Sequence, residues 1–142
     1  MSIQLVPFIM LDGRAREAID FYEKALGAEV TFIQTFGASP NVSGRHLGEV
    51  EKERIAHSEL RVGDAQLMVA DSEPGKPTIE GDLLTVCITT SDAAVATRIY
   101  EALREGGEVK IPLGAFHFSP AYGVVKDKFG VTFQCFTSRR RS

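Results

Sequence analysis

The sequence has no tryptophan and only two cysteines. Two thiols cannot build a disulfide framework, and neither Cys87 nor Cys135 stands in a Cys-x-x-Cys spacing. No excess of one charge is present either: 16 basic against 19 acidic residues leave a net charge of -3. That balance provides no field for a nucleic-acid backbone or an acidic membrane surface, so neither is expected as a partner. No apolar run is long enough to span a bilayer. The opening MSIQLVPFIMLDGR lacks the basic start and long apolar stretch of a secretory signal, so a reduced, cytoplasmic protein is expected. Neither a Gly-x-Ser-x-Gly elbow nor a glycine-rich strand–loop–helix nucleotide pattern occurs. The one charge run, Arg139 to Arg141, reads as a solvated tail.

What is present is ordinary globular material. The chain has 142 residues, 44% hydrophobic and 25% charged, which places it among folded domains and away from disordered ones. Ile3–Leu11 reads as a strand, Asp12 as a helix cap, and Ala15, Ala18, Ile19, Tyr22 and Leu26 as one helix face ending at Gly27. A strand follows over 28–36, then a loop over 37–48 containing His46. Two further strands, 54–62 and 65–70, flank a Gly63-Asp64 turn.

After a Pro- and Gly-rich linker the pattern starts again. Residues 83–90 predict a strand and Ser91 or Asp92 a cap. Ala93, Ala96, Ile99, Tyr100 and Leu103 mark a helix, followed by a short strand over 108–111 and a loop over 112–120. A closing hairpin over 121–126 and 131–136 completes the order. Tyr22-Glu23 and Tyr100-Glu101 lie 78 positions apart, and Gly27–Val30 parallels Gly106–Val109. Both halves read β-α-β-β-β, as an internal duplication would. The expected fold is α+β: two tandem βαβββ modules forming a cup-shaped mixed sheet with helices outside. Module one is 1–70, the linker 71–82, module two 83–138 and the tail 139–142.

Three stretches carry a resemblance: PFIMLDGRAREAIDFYEKALGAEV, HSELRVGDAQLMVAD and YGVVKDKFGVTFQCF. Together they resemble the PhnB-like branch of the vicinal oxygen chelate superfamily, which holds glyoxalase I, extradiol dioxygenases and bleomycin-resistance proteins. The resemblance implies paired modules around a cup-shaped site, and a homodimer. It also implies where the metal ligands of the metal-dependent members would fall: Pro7, Met68, Thr85 and Gln134. Proline offers no ligand, methionine a soft thioether and threonine a weak hydroxyl, so no metal and no cofactor is expected. The methyltransferase label that this branch has carried finds no support in the residues.

The remaining candidates come from strand parity. His57, Glu59 and Arg61 alternate, so they share one side of a strand, with Glu59 across from Met68. His57 and Glu59 form a candidate base and partner; a solvated strand face is the competing reading. Phe116 and His117 stand in an aromatic loop before Tyr122, read as a lid, a packed rim or a dimer contact. Cys87 shares the Thr85 side, whereas Cys135 faces the helix layer, so no disulfide between them is expected. The leading reading is a small-molecule-binding protein with a degenerate metal site, its cup lined by Pro7, Met68, Thr85, Cys87, Gln134, Phe116, His117 and Tyr122. The alternative is a metal-dependent lyase, isomerase or dioxygenase using His57, Glu59 and Gln134. A structural dimer with no ligand is the third.

Overall fold

The structure is a computed structural model and describes residues 2–38 and 47–139. His46, most of the 37–48 loop, and Arg140 and Arg141 lie outside the described residues. The chain divides into two compact units, meeting between Ile79 and Glu80.

The first unit runs β1 (Phe8–Leu11), α1 (Ala15–Leu26), β2 (Glu29–Thr35), a single turn α2 (Glu49–Lys52), β3 (Ile55–Val62) and β4 (Ala65–Asp71). Its four-stranded sheet has the order β1-β4-β3-β2, with β1 parallel to β4 and the other pairs antiparallel. The second unit runs β5 (Val86–Thr90), α3 (Ala93–Leu103), β6 (Glu108–Phe116), β7 (Ser119–Lys126) and β8 (Thr132–Thr137). Its sheet, β5-β8-β7-β6, repeats the same plan with β5 parallel to β8. The fold is thus α+β, built from two separate mixed sheets.

Each helix covers one face of its own sheet. Ala15, Ala18, Ile19, Tyr22 and Ala25 are buried along α1, and Ala96, Ile99, Tyr100 and Leu103 along α3. Alanine at these positions lets a helix approach a sheet closely. On β7 the approach is so close that a Cβ on Gly123 would lie 3.0 Å from the Tyr100 ring. The strand residues opposite the helices are buried too: Ile9 and Leu11, Leu60, Val69, then Val125, Phe133 and Cys135. The alternate residues of the same strands form the second, open face of each sheet.

Four expectations need correction. The first strand begins at Phe8, not Ile3, because Ile3 and Leu5 are 89% and 97% exposed and pair with nothing that would extend the ladder. Asp12 does not cap α1. Its carboxylate accepts from Arg54 Nη2 at 3.0 Å, and Arg14, the N-cap residue, makes no side-chain cap.

The missing acceptor comes from the far end of the unit. The buried carboxylate of Asp71 accepts from the backbone N–H groups of Gly13 (2.7 Å), Ala15 (3.0 Å) and Ile55 (3.0 Å). One side chain on β4 therefore caps α1 and fixes the start of β3. Asp92 does cap α3, accepting from Ala94 N at 2.9 Å.

The third correction is the 112–120 loop, which is mostly strand. Strand β6 extends to Phe116 and β7 starts at Ser119, so only His117 and Phe118 turn the chain. Pro112 and Gly114 look like breakers, yet β6 is an edge strand with three register shifts, which accommodate both residues. The fourth is α2, a one-turn helix in a stretch read as loop and strand.

Replacing Asp71 by alanine leaves three buried or part-buried backbone donors without their acceptor. Bonds to a charged acceptor are worth about 1.5–3 kcal/mol each, and the three share one carboxylate, so a loss of about 3 kcal/mol is expected. Chemical denaturation of Asp71→Ala against the parent protein measures it, with circular dichroism confirming that both variants start folded.

Candidate functional site

The open face of the second sheet brings most of the candidate residues together. Strand register places Cys87 beside Gln134 and Gln134 beside Val124, and one step further Thr89 beside Phe136 and Phe136 beside Tyr122. Thr85, just before β5, lies two residues from Cys87 and shares its side. These residues are half-buried or exposed, except Val124.

Three of them form a hydrogen-bonded relay. The Tyr122 hydroxyl donates to Gln134 Oε1 at 2.8 Å, and Gln134 Nε2 donates to Thr85 Oγ1 at 2.9 Å. The amide is therefore held from both ends in the plane of the face. Burial, with Cys87 close by, raises the Tyr122 phenol above its ordinary pKa, so its proton is retained at neutral pH.

Aromatic rings stand beside the relay. Phe118 stacks nearly parallel to Phe136, with centroids 6.1 Å apart and planes 9° apart, and meets the Tyr122 ring edge-on at 4.9 Å. Phe116 stacks on Phe118 at 5.5 Å and meets Tyr122 edge-on at the same distance. The hairpin turn carries this aromatic group, and Arg139 anchors it: its guanidinium donates to the carbonyl oxygens of His117 and Phe116 at 2.9 and 3.4 Å. The His117 ring is exposed, edge-on to Phe118 at 5.2 Å, on the rim of the cluster.

The open face of the first sheet carries a different set. Phe8, Met68, Glu59 and Phe32 form one row across all four strands. His57 Nε2 lies 3.0 Å from Glu59 Oε2, and its ring sits 6.0 Å from Phe8 and 5.9 Å from Phe32. A carboxylate oxygen accepts, so Nε2 donates to Glu59 in the form of the ring that carries its proton there. Arg61, further along, pairs with Glu29 at 2.6 Å.

Pro7, matched to Thr85 by the repeat, falls one residue out of step: Phe8 stands beside Met68 as Cys87 stands beside Gln134, and the Pro7 carbonyl accepts from Met68 N at 3.0 Å. The cause is a difference between the halves. The β1–α1 connection has three residues, Asp12–Arg14, whereas β5–α3 has two, Ser91 and Asp92. A repeat aligned on the helices is therefore out of step by one on the strands. Sequence reasoning also missed Phe32 and Phe136. Phe136 was open to detection, because it stands two residues from Gln134 on the same strand.

The resemblance implies a divalent metal in part of the family, and the donors here do not fit one. Phe8 and Pro7 bring no ligand atom, Met68 brings a thioether, and the Gln134 amide is committed at both ends. Among the described residues no group of three or more His, Cys, Asp and Glu side chains is gathered to hold an ion. His57 and Glu59 are a pair, bonded to each other.

With this geometry in place, known proteins supply the comparison. Residues 4–135 match the family described as the Glyoxalase/Bleomycin resistance protein/Dioxygenase superfamily. The chain belongs to that superfamily. It is 31% identical to protein PA1353 from Pseudomonas aeruginosa, whose crystal structure superimposes with a TM-score of 0.85 over 96% of this chain and 98% of that one. It is 26% identical to Protein YjdN of Escherichia coli K12, over 89% of this chain and 90% of that protein. A PhnB protein from Bacillus cereus shares the fold at 21% identity, with a TM-score of 0.78, covering 96% of this chain and all of that one. No helix among the described residues is long and apolar enough to cross a membrane.

The two thiols of this superfamily member differ in exposure. Cys87 is exposed, while Cys135, on the adjacent strand, is buried beneath the sheet. Burial first, and Cys87 second, push the Cys135 thiol up to about 11, so almost none is thiolate at pH 8. Iodoacetamide at pH 8 is expected to label one thiol per native chain, at Cys87, and two after unfolding in guanidinium without reductant. Peptide mass mapping identifies the site, and the absence of any label after unfolding would reveal a disulfide between the two.

Proposed function

We propose that this protein binds a small, flat organic molecule on the open face of its second sheet, without a metal, and acts as a binding protein rather than a metalloenzyme. The observation that carries this reading is the Tyr122–Gln134–Thr85 relay set beside the stacked rings of Phe118 and Phe136. Small-molecule sites combine apolar, often aromatic walls with a few polar groups held in fixed orientation. Here the polar groups orient one another, and Phe116 and Phe118 leave 37% and 42% of their surface exposed, ready to be covered. Cys87 lies at the edge of the same face and Lys126 at its end, with the ammonium neutralised by Glu80 at 2.7 Å.

The degenerate donor set supports binding over the metal-assisted reactions of the superfamily, because a glutamine held by two hydroxyls has no reason to face an ion. His57 and Glu59 lie on the open face of the first unit's sheet and take no part in this reading. The protein is proposed to work in the cytoplasm as a homodimer, with the β6–β7 hairpin tip at the subunit contact. The exposed rings of Phe116 and Phe118 support that contact, since aromatic residues are enriched at interface centres.

Two measurements test these statements. Calorimetric titration with a panel of neutral bicyclic aromatics is expected to find a ligand whose affinity falls about tenfold in Gln134→Leu, the loss of one or two oriented hydrogen bonds. Absence of any binding, or a binding event indifferent to Gln134, overturns the reading. Light scattering at micromolar concentration is expected to give twice the 15.5 kDa chain mass. A single-chain mass, unchanged on concentration, removes the dimer.

A further inference from the structure

The open face of the first sheet gathers apolar side chains around one acid. Phe8, Met68 and Phe32 stand in the row of Glu59, one on each of the other three strands, and Met10 follows Phe8 two residues along the same side. Phe8, Met10 and Phe32 leave 49%, 48% and 44% of their surface exposed, so a ligand can reach them. Single apolar side chains on a surface are ordinary. Several of them collected about one carboxylate are not, and an open apolar patch of this kind marks a contact site.

That carboxylate is not matched by a basic side chain. Glu59 Oε2 lies 3.0 Å from His57 Nε2, and a ring N–H makes that bond whether or not the imidazole is charged. Glu59 Oε1 has no hydrogen bond among the described residues. Arg61, two residues further on the same side, pairs with Glu29 at 2.6 Å. No lysine or arginine pairs with Glu59 among the described residues. With 35% of its side chain exposed, Glu59 is open to a ligand yet partly withdrawn from water.

The rings stand where they would meet the same ligand. The His57 imidazole lies 6.0 Å from the Phe8 ring and 5.9 Å from the Phe32 ring. The two phenylalanines belong to the outer strands, so they flank the His57–Glu59 pair from both sides. An aromatic face attracts a cation through its quadrupole, and the carboxylate adds a full opposite charge. One carboxylate and one imidazole are too few to hold a metal ion. An ammonium needs only one counter-charge, with apolar surface for the rest of the molecule.

We infer that this face binds an organic ammonium ion carrying an apolar tail. Its N–H groups donate to Glu59 Oε1, and its tail lies over Met68 and the flanking rings. The inference draws on no residue of the second sheet and stands apart from the reading above.

The probes are 4-phenylbutylamine, the matched alcohol 4-phenylbutan-1-ol and the matched acid 4-phenylbutanoate, which share one tail. In calorimetric titration at pH 8 and low salt, the wild-type protein is expected to bind the amine about tenfold more tightly than the alcohol, and the acid not at all. Glu59→Gln keeps the shape and removes the charge, so the amine and the alcohol are expected to fall within about twofold of each other. Glu59→Ala serves the same purpose if the glutamine variant does not fold, as judged by circular dichroism. Phe32→Leu keeps an apolar wall without the ring, and is expected to weaken the amine about threefold and the alcohol less.

Equal affinities for the amine and the alcohol in the wild-type protein overturn the inference. So does an amine preference that survives loss of the Glu59 carboxylate, or an acid that binds as well as the amine. If none of the three binds at millimolar concentration, the inference falls and the reading of the second sheet is untouched.

Discussion

A strand can lie parallel to another strand of its own unit only if the chain between them leaves the sheet edge and returns along the same direction. In both units the first and last strands meet this way, β1 with β4 and β5 with β8. Everything between them is disposed by that requirement. The helix must cross one face, two antiparallel strands must fill the sheet beyond, and the opposite face is left without cover from its own unit. The last strand, paired on both sides, sits inside the sheet, and it is the strand that carries Met68 in one unit and Gln134 in the other.

Much of this was readable in the amino-acid order because it depends on local periodicity. The α1 and α3 faces repeat at helical spacing, Gly27 closes α1 with φ of +65°, and Asp92 sits two residues before the amide it caps. The Glu59–Met68 pairing followed from a two-residue turn at Gly63-Asp64. Asp71 was not readable as the cap of α1, because its reach to Gly13 and Ala15 crosses more than fifty residues of sequence. The β6 strand was hidden by Pro112 and Gly114, whose meaning as breakers lapses on an irregular edge. The candidate site divided in the same way. Parity along one strand placed His57 with Glu59 and Thr85 with Cys87, whereas the relay needed the register of β5, β7 and β8 together. Thr85, matched to Pro7 on the helices, matches Val6 on the strands, which shows how one extra loop residue defeats an alignment made on helices.

The two open faces show how a duplicated framework supports different chemistry. One presents an imidazole tied to a carboxylate between two phenylalanine rings, the other a neutral amide between two hydroxyls. The backbone plan is common, so the difference lies in side chains at equivalent strands. Gly123 marks one place where the plan leaves little latitude, because the Tyr100 ring of α3 lies against its backbone.

The register shifts along β2 and β6 bear on how the molecule meets its surroundings. Both are outer strands, and both break step with their neighbours at two or more points. A regular outer strand is a template on which a foreign strand can grow a ladder, and an interrupted one is not. Pro112 removes a further donor from the β6 margin. Neither of these two margins is suited to templating amyloid-like extension, so contact with other proteins there would rely on side chains rather than on a continuous main-chain ladder.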